Sequence, residues 1–220
     1  IERLLSVFRE QGNGCVICRV NVNDVTGIHA LEFEGFNLMD ILLTFRRDLK
    51  DDVTETTKTR LTIRQAEEEH AQPLMEIARK AFFQGHFYSD FHFPKEKVND
   101  LYARWVSTSM KKSANITLVA EMNARIIGFI TCKIEKPYDY GAVELIAVHP
   151  NFRKPGIGLA LLQEALMQCK RKVTTLYAGT QLTNPTAMRL YQRMNFKLIK
   201  SEITFHKWLS TTYPKGTVKK

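Results

Sequence analysis

The run Arg153-Lys154-Pro155-Gly156-Ile157-Gly158 follows the apolar segment Val143-Glu144-Leu145-Ile146-Ala147-Val148 and precedes a helix-spaced segment with Leu159, Leu162, Leu166 and Cys169 on one face. Strand, short loop and helix is an arrangement that binds anions. The first amides of a helix have no intrahelical acceptor, and the helix dipole favours negative charge beside them. Glycines at 156 and 158 let the backbone approach a diphosphate closely. Pro155 withdraws one N–H from such a site, while suiting the position before a helix start.

Further residues around this loop carry chemistry. By strand alternation Glu144 shares a face with Ile146 and Val148; it is either a proton acceptor, directly or through water, or half of a structural ion pair. Asn184 opens the segment Asn184 to Met194, where it caps a helix or holds a ligand. Tyr191 lies on the apolar stripe Ala187, Leu190, Tyr191, Met194 of that segment. His149 precedes Pro150 and is given little part in chemistry. Phe82 to Phe93, FFQGHFYSDFHF, is an aromatic loop bearing His86, Phe87 and Tyr88. Cys15 and Cys18 have CxxC spacing, but no second pair completes a zinc site, and positions three apart on a strand face opposite ways. They read as core residues, with no metal. No cysteine stands beside a histidine in the motif, which argues against an acyl-cysteine intermediate.

The elements that must position these groups are legible from periodicity. A strand at 60–64 is followed by a helix with Leu74, Ile77, Ala78 and Ala81 on one face, and by a second with Val98, Leu101, Tyr102 and Trp105. Strands follow at 116–121, 126–134 and 142–148, with a hairpin turn at 122–125. After the glycine loop and its helix come a strand at 173–178, a short helix and a last strand at 196–209. The order predicts an α/β (α+β) domain with a mixed sheet over 59–210. Residues 51–58, DDVTETTK, read as a linker, and 211–220 as a basic tail.

The chain of 220 residues has a formal net charge of +9, 44% hydrophobic and 25% charged residues. Such a surface attracts anions, phosphorylated ligands among them. No nucleic-acid-binding motif is present, so a nucleic-acid partner is not expected. No apolar run approaches the ~20 residues that span a bilayer, and no signal peptide pattern opens the chain. A cytoplasmic protein without a membrane partner is expected, and a homodimer remains open. A helical spacing begins at once with Ile1, Leu4, Leu5 and Phe8, as if the natural chain started earlier.

Residues 23–49 look like a loose copy of 184–209. Asn23 or Asn184 opens a short helix, Phe36 or Phe196 follows, and a strand contains Thr44-Phe45-Arg46 or Thr204-Phe205-His206. The helices differ by one residue in this alignment. The N-terminal 1–50 thus reads as a partial half-domain, with Leu31 where the later copy has Tyr191; strand–helix–strand units that merely look alike are the alternative.

The run Arg153-x-x-Gly156-x-Gly158, with Asn184, Ala187 and Tyr191 on the later helix, resembles motif A and the motif that follows it in the GNAT superfamily of N-acetyltransferases. The resemblance covers about 59–210. It implies acetyl-CoA as co-substrate, its pyrophosphate on the loop Arg153, Lys154, Gly156, Ile157, Gly158, and its pantetheine along Ile146, Ala147 and Val148, with Asn184 and Ala187 beside it. It implies Tyr191 as the acid for the departing thiolate, and Glu144 is then the best candidate base. The layout of half-domain, linker and catalytic domain is similar to that of TDP-fucosamine N-acetyltransferases. A nucleotide-linked amino-deoxy sugar is the acceptor that likeness implies, with Phe87, Tyr88 and Phe91 over the sugar or base and His86 or nearby cations at the diphosphate. A peptide N-terminal acetyltransferase and a non-catalytic acyl-CoA-binding module are the alternatives.

Overall fold

A computed structural model describes residues 1–12, 14–50, 61–153 and 156–209. The linker at 51–58 and the tail at 211–220 lie outside the described residues, as do Lys154 and Pro155. The first half contains α1 (Glu2–Glu10), β1 (Cys15–Asn21), α2 (Val25–Phe33) and β2 (Asn37–Asp48). The rest contains β3 (Thr62–Gln65), α3 (Ala71–Ala81), α4 (His86–Ser89), α5 (Lys95–Met110), β4 (Ile116–Met122), β5 (Arg125–Glu135), β6 (Tyr140–Val148), α6 (Ile157–Lys170), β7 (Thr175–Gln181), α7 (Pro185–Arg193) and β8 (Lys197–Trp208). All strands join one eight-stranded mixed sheet in the order β1-β8-β2-β7-β6-β5-β4-β3. Among the described residues only β6 and β7 run parallel. No helix among the described residues is long and apolar enough to cross a membrane.

The two halves are separate in sequence but interleaved in space. β2 of the first half lies between β7 and β8, and β8 lies between β2 and β1. The elements of 15–48 recur in 175–208 with equal lengths and a constant offset of 160 (175 minus 15). Asp24 caps α2 by accepting from the Gly27 amide at 2.9 Å, as Asn184 caps α7 by accepting from Ala187 at 3.2 Å. The cap is Asp24 rather than Asn23, so the helices do not differ in length. Gly35 and Asn195, both with positive φ, end the equivalent turns. The pairing respects the same symmetry: Asn37 faces His206 as Arg46 faces Lys197. The halves have exchanged their long strands about a local two-fold.

Burial follows the predicted stripe on α3 but departs from it on α1, where Ile1 and Leu4 are exposed and Leu5 is buried, and on α5. Leu74, Ile77, Ala78 and Ala81 are all buried against the sheet. On α5 the buried residues are Val98, Ala103, Val106 and Ser109, while Leu101 and Trp105 are substantially exposed. The α5 face turns because its companion is α3, and Tyr102 rather than Trp105 reaches inward to stack on Phe82 at 4.6 Å. Leu161, Leu162 and Leu166 of α6 are fully buried under the sheet centre, each contributing about 1.5–3 kcal/mol of transfer free energy. Asn123 and Ala124 both adopt positive φ in the β4–β5 hairpin, as a two-residue turn of matching twist requires.

Candidate active site

β6 and β7 pair from Tyr140/Thr175 only as far as Val143/Ala178. Beyond that point they diverge, because β7 continues along β2, with Leu42 facing Gln181. The divergence opens a cleft of about 1000 Å³ between the free edge of Ile146–Val148 and the start of α7. Opposite β6, β5 skips a partner: Thr131 faces Leu145 and Cys132 faces Val143, leaving Glu144 in a bulge.

The structure brings most of the expected cofactor residues to this cleft. Ile146, Ala147, Val148, Arg153, Gly156, Gly158, Asn184 and Ala187 line it. Gly156 has φ +104 and stands as N-cap of the 14-residue α6, so the free amides of the first turn open beside it. Ile157 departs from expectation in its side chain, which is buried in the core, leaving its amide to the loop. Arg153 donates to the Ala81 carbonyl at 3.0 Å and lies 5.4 Å over the Phe83 ring, so it also ties the loop to the end of α3.

The two proposed proton carriers sit apart from the lining. The Tyr191 ring is 2% exposed between Phe45 and Phe196, at 5.7 and 5.5 Å. Burial, with Cys132 adding, pushes its phenol well above the ordinary range. Glu144 does not share a face with Ile146 and Val148, because the bulge resets the alternation. Its Oε2 accepts from Ser109 Oγ of α5 at 2.6 Å, and Asn115 donates to the same hydroxyl at 3.2 Å.

The aromatic segment is folded rather than open. Phe87 packs edge-on against Phe93 at 5.2 Å, and the Tyr88 hydroxyl donates to Asn99 Oδ1 at 2.7 Å. Phe91 is 81% exposed, with its ring 3.9 Å from that of His92. Asp90, which the sequence did not single out, anchors the segment to β8: its Oδ2 lies 2.8 Å from His206 Nδ1 and accepts from Trp208 Nε1 at 2.9 Å. His206 Nε2 in turn lies 2.8 Å from His86 Nδ1. Burial pushes the His86 pKa down to about 4. An imidazole so shifted is neutral near pH 7 and would meet a diphosphate as a hydrogen-bond partner rather than as a cation. Cys15 approaches Asp90 and His206, the ligand atoms lying within 4.8 Å; its thiol is pushed up to about 11 by burial and the Asp90 charge, and so stays protonated. His149 caps the turn after β6, accepting from the Asn151 amide at 3.3 Å.

Comparison with known proteins agrees with this geometry. The pattern of the Acetyltransferase (GNAT) family matches residues 71–196, more than half of the chain. The spore coat polysaccharide biosynthesis protein SpsD of Bacillus subtilis is 30% identical over 138 residues, covering 62% of this chain and 47% of that protein. An N-alpha-acetyltransferase of Sulfurisphaera tokodaii is 31% identical over 94 residues, covering 37% of this chain and 56% of its own. A functionally unknown conserved protein from Staphylococcus epidermidis shares the fold at TM-score 0.70 and 15% identity, over 94% of this chain and 78% of that one. The chain spans about half the length of the two curated relatives named here. With the family pattern across its splayed cleft and glycine loop, this chain belongs to the GNAT family of acetyltransferases.

Proposed function

We propose that the protein transfers the acetyl group of acetyl-CoA directly to a primary amine, borne by a nucleotide-linked amino-deoxy sugar. The observation that carries the transfer reading is the divergence of β6 from β7 after Val143/Ala178, with the α6 N-terminus at its mouth. The free N–H and C=O groups of Ile146–Val148 suit the amides of a pantetheine arm, and the α6 amides suit a pyrophosphate. Direct attack in a ternary complex needs the amine placed at the thioester and its proton removed, then a proton for the departing sulfur. Tyr191 is the donor in this reading. Glu144, held by Ser109, serves by fixing the bulge where the strands part.

Three features support a sugar-borne acceptor. The 82–93 segment docks on β8 through Asp90 and lines the cleft with Phe82, Phe83 and Gln84, and such a fixed aromatic wall suits a compact acceptor better than an extended peptide. The net charge of +9 suits a diphosphate-bearing ligand. SpsD, the Bacillus subtilis relative, is named for polysaccharide biosynthesis. The rival, peptide N-terminal acetylation, draws on the N-alpha-acetyltransferase similarity. Release of CoA with a panel of nucleotide-linked amino sugars and of peptides with free N-termini separates the two. The sugar nucleotides are expected to turn over and the peptides not; faster turnover of a peptide would overturn the acceptor assignment.

A further inference from the structure

Asp40 is 8% exposed, yet neither of its carboxylate oxygens has a hydrogen-bond partner among the described residues. An unpaired buried carboxylate is costly and is retained where something else meets it. Its direction is set by a bulge. Leu38 faces Phe205 on β8, but Asp40 faces Thr204, so Met39 is the extra residue. Without that insertion Asp40 would share the face of Phe205, which packs with Leu5, Leu31 and Phe36. With it, Asp40 shares the face of Thr204 and His206, where α4 lies. Two positions on, Leu42 faces Gln181, which lines the acetyl-CoA cleft. Gly85, Tyr102 and Gln181 close together at this spot: a Cβ on Gly85 would lie 3.5 Å from both the Tyr102 hydroxyl and Gln181 Nε2.

His86 stands on the same side. Asp90 is ionised, held below the ordinary carboxyl range by donors from His206, Trp208 and His92 that outweigh its burial. A carboxylate only accepts, so His206 Nδ1 carries the hydrogen, and in the neutral ring Nε2 is the lone pair. In that tautomer His206 Nε2 accepts from His86 Nδ1, and His86 Nε2 is unprotonated. Of the charged groups that act on His86, Asp40 acts most strongly, with His206, Arg19 and Asp90 following.

We propose that Asp40 and His86 form the acceptor-amine site: the Asp40 carboxylate seats the substrate ammonium, and His86 Nε2 takes the nitrogen's surplus proton as the C–N bond forms. His206 and Asp90 are positioning residues that fix the imidazole tautomer. The inference rests on the acetyltransferase reading and brings a first-half residue, Asp40, into the site. The ammonium gives one proton to water. The neutral amine attacks the thioester carbonyl carbon, and as the C–N bond forms the surplus nitrogen proton, now strongly acidic, passes to His86 Nε2 while the C–S bond breaks and Tyr191 donates to the departing sulfur. Asp40 then faces the imidazolium, which returns its proton through water to Tyr191.

The test uses the full chain with acetyl-CoA and the sugar nucleotide that turns over best. In Asp40→Asn, kcat/KM for the amine should fall about 100-fold or more, as for loss of a charge-assisted contact in a dry site. Acetyl-CoA affinity should hold, and melting should not drop, because the substitution removes an unpaired buried charge. His86→Gln should lower kcat by about 10²–10⁴. His206→Gln should lower kcat and leave the amine KM unchanged. A variant Asp40→Asn with normal kcat/KM, or with lowered melting and retained turnover, would overturn the proposal. A second readout needs no acceptor: the NMR titration of His86 should move to lower pH in Asp40→Asn, and an unmoved titration would overturn the shared site. If that shift appears while the wild type acetylates nothing, the failure belongs to the acetyltransferase reading.

Discussion

The ring of Tyr191 packs 5.7 Å from that of Phe45, a residue of the first half. The proposed acid therefore takes one wall of its surroundings from β2. Its symmetry mate Leu31 packs with Phe205, the mate of Phe45. Phe45→Ala should lower stability by about 3–5 kcal/mol. Chemical denaturation of the variant checks this; an unchanged midpoint would mean that the halves are not coupled there.

Leu31→Ala lies in the equivalent cluster, away from the cleft. It should lower stability by about 2–5 kcal/mol and leave kcat per folded molecule unchanged. Normal melting with lost turnover would contradict a supporting role for this part of the first half.

Tyr191→Phe keeps the ring between Phe45 and Phe196 and removes only the hydroxyl. We expect kcat to fall about 100-fold, the low end for general acid help because a thiol is a good leaving group. KM for acetyl-CoA should change little, since the hydroxyl acts as charge develops on sulfur. Steady-state kinetics with a thiol-detecting reagent measures both. Near-normal kcat with chemistry rate-limiting would make Tyr191 a core residue only.

Acid should destabilise the protein in a defined window. His86 has a folded pKa of about 4 against an ordinary 6.5, so between these values the unfolded chain binds a proton that the folded chain does not. Stability therefore rises with pH across that window and is lost as pH falls through it. The depressed Asp90 carboxyl acts in the same direction, its contribution disappearing at still lower pH. Thermal melts from pH 7 to pH 4 should show a falling midpoint, and His86→Gln should flatten the slope above the carboxyl range. A slope unchanged in His86→Gln would place the titrating group elsewhere.

The cleft was legible in the sequence because its lining is local. The glycine loop, the β6 edge and the α7 cap lie in short contiguous runs whose backbone geometry is written in residue type. Glu144 was placed on the wrong face because a single bulge opposite Thr131 and Cys132 undoes strand alternation, and bulges leave no composition signal. Asp40, Asp90 and His206 were invisible for a different reason. They stand on β2, just after α4 and on β8, places far apart in sequence, and Asp40 is aimed by a second bulge at Met39. The internal copy was visible only loosely because few residues match; placing the cap at Asp24 brings every element into register.

The most direct test of the account is acetyl-CoA binding by calorimetry to the wild type and to Gly156→Glu, with melting measured alongside. Gly156 has open space around its Cα but a positive φ, and a glutamate there strains the turn and brings negative charge to the phosphate amides. The account predicts one acetyl-CoA bound per chain, and an affinity at least about 100-fold weaker, or about 2.7 kcal/mol, in a folded Gly156→Glu. A wild type that does not bind acetyl-CoA, or a folded variant that binds it equally well, would contradict the account.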